Sequence, residues 1–149
     1  MPKFHPASVL LALAALAAVD ATAQAKPEDL VKQRKAGYTI LGYNFGSLAA
    51  MVQDKKPYNR EEAQRNAAVA AAIADYPRGF FGEGTEKFEG SKAKPEIWTH
   101  RQDFDAKMDK MITAVKALPQ AAGDPAALKK AVSDAGAACK ACHDEYKAK

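Results

Sequence analysis

A chain of 149 residues, 48% of them apolar, is long enough for one domain with a single core. Alanine is abundant and runs of β-branched residues are scarce, which favours helix. The formal net charge of +4 comes from 22 basic and 18 acidic side chains that are mixed along the sequence. Such mixing excludes the basic block typical of nucleic-acid binding, so we expect no nucleic-acid partner.

Residues 1–23 have the pattern of an export signal. A basic N-terminus precedes the apolar run Val9–Val19, and small residues follow it. The run is too short for a membrane-spanning helix, which needs about 20 residues. We expect cleavage after Ala23, or alternatively after Ala25, and a mature domain over 24–149 in the periplasm with no membrane span. An uncleaved membrane anchor is the alternative interpretation.

The first helix is predicted from Lys26–Asp29 to about Gln53. Proline is tolerated in a first turn, and acidic residues favour the positive end of the helix dipole. Side chains at steps of three and four define its inward face: Leu30, Arg34, Tyr38, Leu41, Phe45, Leu48 and Val52.

A second helix is predicted from Arg60 to about Tyr76, with Asn59 as its cap and Pro77 as its stop. Its alanine-rich inward face is expected to hold Ala63, Asn66, Ala70 and Ile73, with Val69 beside them. From 78 to 100 glycine and proline are dense and no period is visible. Long ordered loops of this kind in compact domains are usually functional.

The third and fourth helices are predicted over Arg101 to Leu118 and from Asp124-Pro125 onward. Both have clear apolar faces at helical spacing: Phe104, Met108, Met111, Val115 and Leu118 on the third, and Leu128, Val132, Ala135, Cys139, Cys142 and Tyr146 on the fourth. A methionine stripe of this kind is more typical of core packing than of ligation. Four amphipathic helices with three connections predict an all-α, antiparallel four-helix bundle.

The fourth helix carries the motif C-x-x-C-H, which is the attachment signature of a c-type haem. Residues three and four apart share a helix face, so the thiols of Cys139 and Cys142 can form thioethers while His143 ligates the iron. A thioredoxin-like site would follow a strand. A zinc site needs about four ligands, whereas the remaining histidines are His5 and His100 and there are no further cysteines. A plain disulfide gives no role to His143. We therefore predict one covalently attached haem c inside the bundle.

The mature chain resembles the cytochrome c′ family of periplasmic four-helix bundles. Five stretches carry the resemblance: Lys26–Asp29 with Arg34, Phe81-Gly82, Gly84–Glu86, Lys94–Trp98, and Cys139–His143. The resemblance implies Cys139 and Cys142 as the thioether cysteines and His143 as the proximal ligand. It also implies that Arg34 lies near a haem propionate, a partner that a buried arginine needs, and that Lys35, Thr85 and Glu86 border the haem edge.

Three further positions are interpreted through this resemblance. Tyr38 takes the position that faces the sixth side of the iron, where six-coordinate relatives have methionine. A phenol with a pKa of about 10 stays neutral and is no strong ligand, so Tyr38 would close off the distal face and could donate a hydrogen bond to a bound diatomic. Alternatively, Tyr38 is a packed core residue with its hydroxyl at the surface. Arg78 departs from the tryptophan of many members, and either makes the distal mouth more polar or points outward. Lys147 either lies close to the proximal imidazole or is a solvated tail residue.

The resemblance implies a five-coordinate, high-spin iron that binds nitric oxide and carbon monoxide in preference to oxygen, with a role in nitric oxide tolerance or transport. The rival function is a six-coordinate electron carrier, which the absence of methionine at position 38 disfavours. No histidine is placed for distal acid–base chemistry, so we expect no enzyme activity. A homodimer is expected because the first helix has a second small or apolar stripe, formed by Ala36, Tyr43, Gly46 and Ala50.

Overall fold

The structure is a computed structural model that describes residues 25–149, so the predicted signal peptide lies outside the described residues. Four long helices make up the bundle: α1 (Pro27–Val52), α2 (Arg60–Ile73), α4 (Arg101–Lys116) and α6 (Pro125–Tyr146). A 3₁₀ helix (Tyr76–Phe80) and two one-turn helices, α3 (Glu96–Thr99) and α5 (Leu118–Ala121), lie in the connections. Nowhere in 25–149 is a helix both long enough and apolar enough to cross a membrane.

The helices pack as the predicted antiparallel bundle. α1 lies against α2 and α6, and α4 lies against α6 and α2. The antiparallel sense of the first pair follows from two contacts: Ser47 bonds to Glu62 near one end, and Gly37 lies against Tyr76 and Pro77 near the other. The predicted fold class is thus confirmed.

Local signals define where two helices begin. The side chain of Asn59 accepts a hydrogen bond of 2.9 Å from the backbone N–H of Glu62 at the start of α2. Asp124 accepts one of 2.7 Å from Ala127 at the start of α6. Each cap satisfies a backbone donor that the first turn leaves without a partner.

Three predicted details of the helices are wrong. α2 ends at Ile73 rather than near Tyr76, and its buried face is Ala63, Ala67, Ala70 and Ala74. Val69, expected near the core, is 43% exposed. Because α2 is alanine on several sides, its sequence hardly distinguishes one face from another. The third helix ends at Lys116, and the residues around Pro119 form the separate one-turn helix α5.

The long connection from 81 to 95 is held over one end of the bundle. Backbone hydrogen bonds join it to the end of α6, from Lys94 N–H to the Tyr146 carbonyl (3.0 Å) and from Ala148 N–H to the Lys92 carbonyl (2.8 Å). The buried ring of Phe81 lies 4.8 Å from that of Phe104, measured between centroids. These contacts place the connection directly beside the C-x-x-C-H segment.

Candidate functional site

Two adjoining cavities of about 260 and 420 Å³ lie between α1, α4 and α6. Tyr38, Cys142 and His143 line both of them. The first opens beside the 81–95 connection, and its other lining residues include Arg34, Lys35, Ser91, Lys92, Phe104, Tyr146 and Lys147. The second follows α1 and α6 away from that connection, lined also by Leu41, Phe45, Met108, Met111, Val115 and Cys139.

Cys139, Cys142 and His143 point to these cavities from α6, because the motif continues the helix without a break. Neither cysteine forms a disulfide. Burial raises the pKa of the Cys142 thiol to about 11, and that of Cys139 also rises. Partial burial lowers the pKa of His143, and the nearby positive charge of Lys147 lowers it further. The imidazole is therefore neutral at neutral pH, which is the form that ligates iron.

Tyr38 lies on α1, across the cavities from α6. Its hydroxyl donates a hydrogen bond to Met108 Sδ on α4, at 3.5 Å. Burial raises the pKa of Tyr38 well above its usual value, with the Cys142 thiol as the next cause. The phenol therefore stays neutral, as expected from the sequence, and its hydroxyl already has a partner.

Arg34 is a buried cation, only 4% exposed. Its guanidinium donates to the Phe80 carbonyl (3.1 Å), to Ser91 Oγ (2.9 Å) and, at 3.4 Å, to Thr85 Oγ1. It also lies 4.4 Å from the centroid of the Phe81 ring. Burial lowers the pKa of Arg34. All these partners are neutral, and no carboxylate of residues 25–149 forms an ion pair with the guanidinium.

Of the other three residues predicted at the haem edge, Lys35 lines a cavity and Thr85 and Glu86 do not. Lys35 lines the first cavity and donates to the Gly90 carbonyl at 3.3 Å. Thr85 is fully buried behind Arg34, where it donates to the Gly82 carbonyl at 2.7 Å, and it lines neither cavity. Glu86 lines neither cavity, and its buried Oε2 has no hydrogen-bond partner in the described part of the chain.

The structure also locates the two residues whose direction was left open. Arg78 lines neither cavity; it bonds to Asp109 on α4, and its Nε lies 3.4 Å from Asp75. It therefore ties the 3₁₀ helix to α4 rather than making a cavity mouth more polar. Lys147 lines the first cavity next to His143.

Several lining residues had no predicted role. Ser91 and Lys92 lie in the stretch without a period, so periodicity had no means of finding them. Phe104, Tyr146, Met108 and Met111 were found as inward-facing residues, but as plain core. Helical spacing identifies an inward face and does not show which part of the interior is left empty.

Comparison with known proteins decides the family. The family model for cytochrome c′ matches residues 29–147, which is most of the described chain.

The chain belongs to the cytochrome c′ family.

Relatives and solved structures agree with this assignment. The cytochrome c′ of Rubrivivax gelatinosus is 40% identical over 126 residues, which cover 83% of this chain and 98% of that protein. Its crystal structure matches with a TM-score of 0.78 and covers 82% of this chain and 97% of that one. A cytochrome c-554 of Cereibacter sphaeroides is 32% identical over 154 residues, covering 97% of this chain and 99% of that protein.

A further similar structure is a nitric oxide complex of a variant cytochrome c′ from Alcaligenes xylosoxidans. It is 38% identical with a TM-score of 0.76, and it covers 85% of this chain and 98% of that one. The predicted resemblance is thus confirmed. Because cytochrome c′ proteins bind haem c covalently, the predicted cofactor is confirmed as well.

The residues at the cavities fit that cofactor. Two unpaired thiols and a neutral imidazole lie on one face of α6, beside space bounded mainly by apolar side chains. At the open end, Arg34 is buried without an anionic partner among residues 25–149, which is costly unless a negative charge is supplied. A haem propionate at this end of the cavity would supply that charge.

Proposed function

We propose that this protein binds nitric oxide and carbon monoxide at a five-coordinate haem c, on the face opposite His143. The hydrogen bond from the Tyr38 hydroxyl to Met108 Sδ is the single observation that carries the proposal. Tyr38 and Met108 line the second cavity together with His143, and each carries an atom that is able to ligate iron. Because the Tyr38 hydroxyl and Met108 Sδ are hydrogen-bonded to each other, and because the phenol is neutral, neither group is free to ligate the iron. The nitric oxide complexes of similar proteins support the choice of gas.

The same site assigns roles to the residues that hold the haem. Cys139 and Cys142 form the thioethers, and His143 ligates the iron from α6. Arg34 pairs with a propionate, and Lys35 lies at the same open end. We propose no contact with haem for Thr85, which supports Arg34 from behind, nor for Glu86.

We place the protein in the periplasm, as expected from the signal pattern of residues 1–23. This location suits a protein with C-x-x-C-H, because c-type haem is attached outside the bacterial cytoplasm. Its role there is capture of nitric oxide, and we propose no enzyme activity.

One-electron transfer is the second candidate function. It is favoured by the open end of the first cavity, which Lys35, Lys92 and Lys147 line from the protein surface. A solvent-accessible haem edge allows electron exchange whatever the ligand set of the iron.

We further propose a homodimer formed through the outer face of α1 and α2. Ile40 is 44% exposed and Tyr43 is 78% exposed, and Val69 and Tyr76 add exposed apolar surface from the neighbouring α2 and 3₁₀ segments. Of the predicted stripe, Ala36, Tyr43 and Gly46 are exposed and Ala50 is half-buried, whereas Ile40 was missed. Exposed apolar residues gathered on one face mark interaction surfaces, and a second copy of this chain buries equivalent residues against each other.

The visible spectrum of the reduced holoprotein tests the main proposal. We expect a broad high-spin Soret band that carbon monoxide sharpens and shifts at modest concentration. A narrow low-spin spectrum with split α and β bands before any ligand is added would reject five coordination and favour the electron carrier.

A further inference from the structure

Tyr38 and Met108 approach each other from different helices in the wall opposite α6. The Tyr38 hydroxyl on α1 and Met108 Sδ on α4 are 3.5 Å apart, and both side chains line the second cavity together with His143. Met108 is almost fully buried, so its sulfur is held in place by the surrounding core. A thioether is a weak hydrogen-bond acceptor, but it is the acceptor that the structure gives to this hydroxyl.

We propose that Met108 determines which diatomic ligands the haem prefers, by keeping the Tyr38 hydroxyl away from the open face of the iron. This inference rests on the proposed gas binding. Dioxygen accumulates more negative charge on binding ferrous haem than carbon monoxide does, and a nearby hydrogen-bond donor therefore favours dioxygen most. A tyrosine on this face would ordinarily be such a donor. With its proton directed at Sδ, it contributes bulk and no hydrogen bond.

The neighbouring methionine provides a matched control. Met111 lies on the same helix, is similarly buried and lines the same cavity. It forms no hydrogen bond with Tyr38, whose hydroxyl donates to Met108 instead. Exchange of methionine for leucine nearly conserves volume and is usually well tolerated in a core. Met108→Leu removes the acceptor, whereas Met111→Leu changes a cavity wall to the same extent without touching the hydrogen bond.

The experiment compares the holoproteins of wild type, Met108→Leu, Tyr38→Phe, the double variant and Met111→Leu. Two quantities are measured: the C–O stretching frequency of the ferrous carbon monoxide complex by infrared spectroscopy, and the ratio of dioxygen to carbon monoxide affinity by flash photolysis. The stretching frequency falls when a donor points at the bound ligand. It reports the direction of the hydroxyl without depending on a reaction.

Met108→Leu is expected to lower the C–O frequency and to raise the dioxygen-to-carbon monoxide ratio by about three- to tenfold, the effect of one added neutral hydrogen bond. Adding Tyr38→Phe to Met108→Leu removes the whole increase in the ratio, because the hydrogen bond to the ligand requires the Tyr38 hydroxyl. Tyr38→Phe alone and Met111→Leu leave the ratio within about twofold of wild type.

Three results overturn the inference. In the first, Tyr38→Phe alone lowers the ratio several-fold, because the hydroxyl then already points at the ligand in the wild type. In the second, Met108→Leu changes neither quantity. In the third, Met108→Leu converts a low-spin ferrous protein to high spin, which would make Met108 an iron ligand.

If Met108→Leu does not fold, the Tyr38→Phe protein alone tests the inference: an unchanged ratio supports it and a lowered ratio overturns it. Failure of the wild-type ferrous protein to bind carbon monoxide contradicts the proposed function itself, and the two failures are thus distinct.

Discussion

Replacing Arg34 by methionine should destabilise the holoprotein by about 3–5 kcal/mol at pH 7, the usual cost of breaking a buried ion pair. Arg34 is 4% exposed, and its guanidinium donates hydrogen bonds to neutral acceptors, two of them at 2.9 and 3.1 Å. Methionine keeps the apolar stem and removes the charge. On the proposed assignment, the substitution would leave a haem propionate buried without its partner, in addition to removing the two hydrogen bonds.

The pH dependence of this loss identifies the partner. Arg34 stays protonated at every pH considered, although burial lowers its pKa. If the proposed pairing holds, the positive charge of Arg34 lowers the pKa of the propionate in the folded protein. Its stabilisation is therefore present above the pKa of the unfolded state and is lost as the pH falls through the folded-state pKa. The difference between wild type and Arg34→Met should shrink between pH 7 and about pH 3. The neutral partners of Arg34 do not titrate in this range. The part of the stability difference that disappears at low pH therefore measures the interaction of Arg34 with the propionate.

The free energies of unfolding of wild type and Arg34→Met are measured by denaturation with guanidinium chloride at several pH values. Unfolding is followed by the Soret band and by far-UV circular dichroism. Ser91→Ala is the matched control, because it removes one neutral acceptor of Arg34 and leaves the charge in place. Its cost should be about 1–2 kcal/mol and independent of pH. An Arg34→Met loss of the same size at pH 7 and pH 3 would show that the guanidinium has only neutral partners and would refute the propionate assignment.

Four further outcomes are expected. Tyr38→Met should move the ferrous protein toward a low-spin spectrum, because it offers a thioether opposite His143; an unchanged spectrum would mean that this position does not face the iron. Gly37→Ala should destabilise the protein by about 1–2 kcal/mol in thermal unfolding, because the new Cβ would lie 2.8 Å from Tyr76 Cδ1. At Gly46 the added Cβ would meet open space, so Gly46→Ala should instead stabilise a monomeric sample by about 0.5–1 kcal/mol. Equal effects at the two glycines would contradict the close packing at Gly37. Tyr43→Glu should shift sedimentation from dimer to monomer with an unchanged Soret band, whereas an unaltered dimer would move the interface away from this face.

The features that were predicted well depend on neighbours in the sequence. The caps at Asn59 and Asp124 act on backbone donors three residues away, and the C-x-x-C-H motif is contained in five consecutive residues of one helix. The apolar faces of α4 and α6 were recognisable because large side chains alternate with charged ones. On α2 the same reasoning failed at Val69, because alanine on several sides leaves the choice of face to the packing of α1 and α4.

The cavity walls were predicted only in part. Of the five residues that the resemblance places near the haem, Arg34, Lys35 and Tyr38 line the cavities, whereas Thr85 and Glu86 line neither. The pattern of the 81–95 connection contains no period from which its path over the bundle can be inferred. Its position depends on distant contacts instead, such as the hydrogen bond between Arg34 and Ser91, 57 residues apart.

By itself, the sequence determined the helical class, the starts of the helices and the covalent cofactor, because each is encoded by side chains within a few turns of one another. Only the tertiary structure decided that Arg78 turns to α4, that Arg34 is buried among neutral acceptors, and that the Tyr38 hydroxyl is bound by Met108. Those outcomes depend on how closely separate helices approach, and that distance is set by the packing of the whole core, which no local pattern contains.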